Sequence, residues 1–200
     1  MEEIISKKEF NELMNIKGEI RGAAIKVVAE FILKEEGEEG LKKLEKVMIS
    51  LGQPMKYKDI KTLDFYPLGM EATLLLAAKR LFGYDDKKFQ EMGEFAPKTS
   101  VILIRMFMKY LVSLKTIIKQ APRIWRQHYT TGDLNLIELN EEKRYIIARL
   151  ENFHYVPMAC HVYKGYFIST IQMVIRKTVT CEETKCLHRG DDYHEFLIKW

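Results

Sequence analysis

Residues 175–200 read IRKTVTCEETKCLHRGDDYHEFLIKW. From Ile175 to Cys181, Ile175, Lys177 and Val179 fall on one side and Arg176, Thr178 and Thr180 on the other. From Tyr193 to Trp200, His194, Phe196 and Ile198 share one face. Successive strand residues point to opposite faces, so these period-two runs predict two strands. Gly190, Asp191 and Asp192 between them are turn residues, and the two strands are expected as a hairpin. This stretch decides the fold class, because a β hairpin here closes a chain whose first two-thirds read as helices.

Upstream, Pro157 to Val174 reads as a helix with proline in its first turn. Leu134 to Leu139 and Arg144 to Leu150 read as short strands joined through Asn140, Glu141 and Glu142, after the turn cluster Thr130-Thr131-Gly132-Asp133. Apolar residues three and four apart predict a helix over Gly18 to Lys34, ended by Gly37, and another over Glu38 to Ile49. Further helices are expected over Leu68 to Phe82, stopping at Gly83, from Asp85 or Asp86, and over Val101 to Ile118, introduced by Pro97 and Ser100. Pro122 is expected to interrupt the turn that follows. The pattern predicts an α+β fold, a helical N-terminal half packed on a C-terminal antiparallel sheet with an inserted helix. We expect one domain over 1–200, with a helical subregion 1–116 and a second subregion 117–200.

The 200 residues are 47% hydrophobic and 30% charged, with ten Phe, ten Tyr and two Trp. That is ample material for a core and excludes a disordered chain. Three cysteines, an odd number, do not make a disulfide scaffold. No apolar run reaches the ~18–20 residues of a membrane span. The start, MEEIISKKEF, has acids at once and no apolar signal core, so a cytoplasmic, reducing location is expected. Net charge is +4. The basic run Lys115, Lys119, Arg123, Arg126 reads as a solvated face, and no nucleic acid is expected as a partner. GxxxxGK, GxGxxG, GxSxG and HExxH are all missing from the sequence.

Soft and borderline metal ligands crowd the end of the chain. Cys160 and His161 lie near a helix start, and Cys181, Glu182, Glu183, Cys186, His188 and His194 follow within a short stretch. Glu183 is expected to end a strand, Cys186 to sit in the connection and His194 to begin the next strand. Zn²⁺ takes four N, S or O donors in a tetrahedron, and a site closed by four side chains is structural.

Cys160, Gly165-Tyr166, Glu183-Thr184-Lys185-Cys186, Gly190, His194, Phe196 and Trp200 resemble the 4-vinyl reductase (hydrocarbon-binding) domain family, over roughly residues 117–200. Pro122 to Arg126, Tyr129, Thr131 and Gly132 fit the start of that domain. The family is similar to the sensor domains of phenol- and xylene-responsive activators, and distantly to heme-NO-binding and TRAPP-like folds. The resemblance implies a zinc held by one upstream Cys and a Glu-x-x-Cys-x7-Cys run. On this chain the set is Cys160, Glu183 twenty-three residues on, Cys186 three later and His194 eight after that. His194 stands where the family pattern has Cys.

The resemblance also implies a non-enzymatic sensor with an apolar cavity for a hydrophobic or aromatic small molecule. Trp125, Tyr129, Phe107, Tyr110, Tyr163 and Phe167 are the expected ligand-binding residues. Met106, Met108, Phe153, Tyr155, Met158 and Tyr166 are further candidates for lining. A buried Trp125 indole N–H would need a partner, such as a ligand hydroxyl. Heme is not expected, since the Tyr-x-Ser-x-Arg motif of heme-NO-binding proteins is absent. A homodimer and a signalling partner protein are expected, because the chain carries no output segment of its own. The alternatives are a tetrapyrrole vinyl reductase and a TRAPP-like dimeric interaction module.

Overall fold

The computed structural model describes residues 4–99 and 113–200. The chain divides into two compact units, Met1–Lys88 with His128–Thr130, and Phe89–Gln127 with Thr131–Trp200.

The first unit holds α1 (Lys7–Met14), β1 (Glu19–Arg21), α2 (Gly22–Ser50), β2 (Phe65–Pro67) and α3 (Leu68–Phe82). Strands β1 and β2 pair antiparallel, with Ile20 opposite Tyr66. This short sheet occupies what the periodicity assigned to the first turn of a helix from Gly18. Gly37, at φ 69° and ψ −171°, breaks α2 into two helical stretches, as its place between two apolar periods predicted. Helix α3 runs over the predicted residues and stops at left-handed Gly83. Its Leu74 and Leu75 are buried, as are Ile25, Val28, Phe31 and Ile32 of α2.

Helix α1 starts in a capping box. Ser6 Oγ accepts from the Glu9 N–H, and the Glu9 carboxylate accepts from the Ser6 N–H. Arg80 of α3 grips the same carboxylate at 2.6 and 3.1 Å. The Arg80 bonds, and then those from Ser6, hold the Glu9 carboxyl at about 2, below its ordinary 4.5. A depressed carboxyl contributes stability above its unfolded pKa and loses it as pH falls through the folded value. Wild type should therefore lose stability between pH 5 and 2 more steeply than Glu9→Gln, measured by thermal melts. Parallel slopes would mean that the Arg80 contact is inert.

Helix α4 (Asp86–Thr99) starts where Asp85 Oδ1 accepts from the Lys88 N–H at 2.8 Å. The second unit continues with α5 (Leu114–His128), β3 (Asp133–Asn140), β4 (Tyr145–Glu151), α6 (Pro157–Ile175), β5 (Thr180–Lys185) and β6 (His194–Lys199). Its sheet is antiparallel throughout, in the order β3-β4-β6-β5. Ile146, Ala148 and Leu150 of β4 and His194, Phe196 and Ile198 of β6 bury one face.

Three boundaries differ from expectation. Helix α6 runs to Ile175 and ends at left-handed Arg176 (φ 53°), and β5 starts only at Thr180. The alternation from Ile175 to Val179 is thus a helix end and a connection, and Glu183 lies inside a strand. Helices α4 and α5 also run through Pro97 and Pro122, each forgoing one backbone bond. The expected helix over Val101 to Ile118 is described only from Leu114, since residues 100–112 lie outside the described part.

Candidate metal centre

Three elements of the second unit bring the four candidate ligands together. Cys160 is the fourth residue of α6, on a buried turn with Met158 and Ala159. Glu183 lies on β5, opposite Phe196. A register shift between Glu183 and Lys185 precedes Cys186, which leaves the strand. His194 is the first residue of β6 and is 4% exposed.

The loop carrying Cys186 is held by its own backbone. Asp191 Oδ2 accepts from the Cys186 N–H at 2.7 Å. The Cys186 carbonyl accepts from the N–H groups of Arg189 and Asp191, and Gly190 turns the chain at φ 93°. Asp191 therefore shapes the turn, as its place beside Gly190 suggested. Its bond to Cys186 was not foreseen.

One donor atom from each of Cys160, Glu183, Cys186 and His194 lies within 4.8 Å of the others. The two Sγ atoms are 3.8 Å apart, and Cys160 Sγ is 3.7 Å from His194 Nδ1. His194 Nδ1 meets Glu183 Oε1 at 2.9 Å. Zinc–ligand bonds of ~2.0–2.3 Å make a tetrahedron with edges of roughly 3.3–3.8 Å. The sulfur edges already have that length, and the His–Glu contact would open slightly. The donor set fits a tetrahedral dication.

Burial pushes the Cys160 thiol well up, with Glu183 and Cys186 adding to it. Burial likewise raises Cys186. Burial also works to raise Glu183, but its bonds to His194 and Cys186 prevail and hold the carboxyl below its ordinary range. Burial disfavours the thiolates, so a cation placed among these groups would have to displace the thiol protons. His188, not among the resemblance's ligands, lies close by, its ring 5.7 Å from that of His194. Burial, followed by His194, lowers its pKa.

A cavity of about 50 Å³ lies in the same unit, lined by Ile117, Ile124 and Trp125 of α5, residues of the sheet such as Ile198, and Phe167 and Thr170 of α6. Phe167 packs edge-on against Phe196 at 5.1 Å, and Phe196 stacks on the His194 ring at 6.5 Å. One aromatic file thus links the cavity wall to the ligand cluster.

The expected ligand-binding residues scatter. Trp125 and Phe167 line the cavity. The Trp125 indole N–H donates to the Thr131 carbonyl at 3.0 Å, so the backbone provides the partner that a ligand hydroxyl was expected to provide. Tyr163 is buried in an aromatic cluster with Trp125 and Phe153 and does not line the cavity. Tyr129 bridges to Ile20 in the first unit. Phe107 and Tyr110, with Met106 and Met108, lie outside the described residues. The sequence reading missed Thr170, whose hydroxyl is buried at the cavity.

With these elements in place the architecture is that of the H-NOX domains, the heme-NO-binding fold. An H-NOX protein from S. oneidensis, solved in the Fe(II)NO ligation state, superposes with a TM-score of 0.69 at 11% identity, covering 90% of this chain and 98% of that one. A structure from work on heme distortion in the H-NOX family gives 0.66 at 12%, covering 90% and 95%. One from work on H-NOX activation gives 0.65 at 13%, covering 90% and 96%. Such identities establish the fold alone. No family model matches the sequence. Uncharacterized protein MJ0150 of Methanocaldococcus jannaschii is 33% identical over 73 residues. The match spans 34% of this chain and 42% of that relative's length.

Proposed function

We propose that the chain is a small-molecule-binding sensor domain of the 4-vinyl reductase type, built on the H-NOX fold and working by binding rather than turnover. A zinc ion, held by Cys160, Glu183, Cys186 and His194, is its structural centre. The observation that carries this reading is the convergence of those four donors within 4.8 Å, joined to an apolar cavity through Phe196 and Phe167. Bound there, zinc would supply a closed, redox-inert cross-link between α6 and the β5–β6 connection. The side chains do the rest. Asp191 fixes Cys186, and Phe196 passes the position of His194 to the cavity wall. The signal leaves through a homodimer or a partner protein, in the cytoplasm, where reducing conditions keep the thiols available. No helix among the described residues is long and apolar enough to cross a membrane.

Native mass spectrometry of protein prepared without chelator tests the reading. One zinc per chain and a co-purified small neutral molecule support it. A metal-free, ligand-free chain that takes up neither overturns it.

The fold likeness favours a second reading, in which the chain takes heme as the H-NOX neighbours do. A Soret band after hemin addition would support heme binding, and a spectrum of free hemin would overturn it.

A further inference from the structure

The four donors of the candidate centre are all buried. Cys160 is 5% exposed, Cys186 and His194 are 4%, and the Glu183 side chain is 8%. A hydrated dication reaches such a closed centre only along an entry path with donors of its own. Over Glu183 the approach meets a cation. Arg189 donates to the Glu183 carbonyl at 2.9 Å, and its guanidinium stands 3.5 Å from Oε2 of the same carboxylate.

His188, the residue before Arg189, is exposed yet tied to the cluster. Burial raises the Cys186 thiol, and the His188 backbone N–H, bonded to that sulfur, works against the rise. The His188 ring lies 5.7 Å from the ring of His194. Zinc–imidazole bonds of ~2.0–2.1 Å, with about 1 Å more from nitrogen to ring centre, put two imidazoles on one tetrahedral zinc with centres roughly 5 Å apart. A small closure of the turn would therefore let one cation bridge His188 and His194. His154, on the connection from β4 to α6, is also exposed and close enough to His188 to act on its charge. Three of the chain's five histidines thus lead from two exposed rings to one buried ligand. Imidazole is a borderline donor that suits zinc.

Resting on the zinc reading above, we infer that His188, fed by His154, is the entry site of the metal centre, taking a borderline dication such as zinc from solvent and passing it inward. His188 holds the ion first, and His194 joins through Nδ1, the nitrogen that already faces Cys160 and Glu183. The two thiols and Glu183 then bind. Each thiol releases its proton to solvent, and His188 lets go. A group that is absent from the final coordination sphere speeds entry and exit by the same factor, so it changes the exchange rate and leaves the affinity alone. His188 therefore makes a buried zinc exchangeable.

Stopped-flow mixing of the metal-free full chain with zinc, followed by a competing zinc indicator, reads uptake. Transfer of zinc from the loaded chain to excess chelator reads release. His188→Gln removes the imidazole without adding charge, and it should slow uptake and release alike by roughly tenfold, about 1.4 kcal/mol on each barrier, with Kd unchanged. His154→Gln should slow both less. The double variant should be no slower than His188→Gln, because the two rings act in series. Matching melts of the metal-free wild type and variants mark an intact fold. Unchanged rates in His188→Gln overturn the inference. A weaker Kd with unchanged uptake also overturns it, since His188 would then belong to the final sphere. A double variant slower than His188→Gln overturns the series order. These three results leave the zinc reading standing, whereas a wild type that takes up no zinc removes that reading and the inference together.

Discussion

Cys186→Ala is expected to leave the protein without zinc and to lower its melting temperature by roughly 8–16 °C, while Cys181→Ala keeps the metal. The size follows from linkage. Zinc bound only by the folded chain, at a free concentration 1,000 times its Kd, adds about 4 kcal/mol. In a chain of this length each kcal/mol moves Tm by about 2–4 °C. Removing one sulfur from the cluster leaves three donors and strips most of that term. A strong chelator should bring wild type down to the level of the variant, and added zinc should restore only the wild type. Cys181 is the control, being half-buried and outside the four-donor set. The sign with pH is also fixed. Both thiols are raised by burial and must lose their protons to bind, so zinc affinity climbs as pH rises. Equal melting of wild type and Cys186→Ala, both metal-free from chelator-free preparations, would remove the site.

Parts of this arrangement are legible in the chain and parts are not, and the division is physical. Period-two patterning marks β6 because one of its faces is buried and the other solvated, so His194, Phe196 and Ile198 declare themselves. Gly37 and Gly83 are legible because each adopts a positive φ at a helix break. The end of α6 is not, because it is apolar on most sides. A helix buried all round carries no periodic signal, and Ile175 to Val179 reads as well for a strand. The convergence of Cys160 with Cys186 and His194 rests on the packing of α6 across the sheet, which spacing allows but does not impose. Asp191 holding the Cys186 N–H and Thr131 taking the Trp125 indole are tertiary facts with no local pattern. Asp-Gly neighbours signal a turn but not which N–H the carboxylate will find.

Gly165→Val should strongly destabilise the second unit, costing about 3 kcal/mol or more. A Cβ on Gly165 would stand 1.9 Å from the Gln90 carbonyl oxygen of α4, and a Cβ on Gly93 would stand 1.9 Å from the Val162 carbonyl of α6. The two helices therefore touch backbone to backbone through reciprocal glycines. Neither obstacle is a side chain that can rotate away, so relief requires the helices to separate. The sign of a milder change is sharper still. In an open helix Gly→Ala gains up to ~1 kcal/mol, but here Gly165→Ala and Gly93→Ala should both destabilise. Separation also bears on the proposed metal site, because α6 carries Cys160 five residues before Gly165. Displacing the helix moves a proposed metal ligand and one wall of the cavity relative to the sheet. Stability in urea melts of Gly165→Ala and Gly93→Ala should therefore fall together with zinc retention. Loss of stability with zinc retention intact would mean that the close approach serves packing alone.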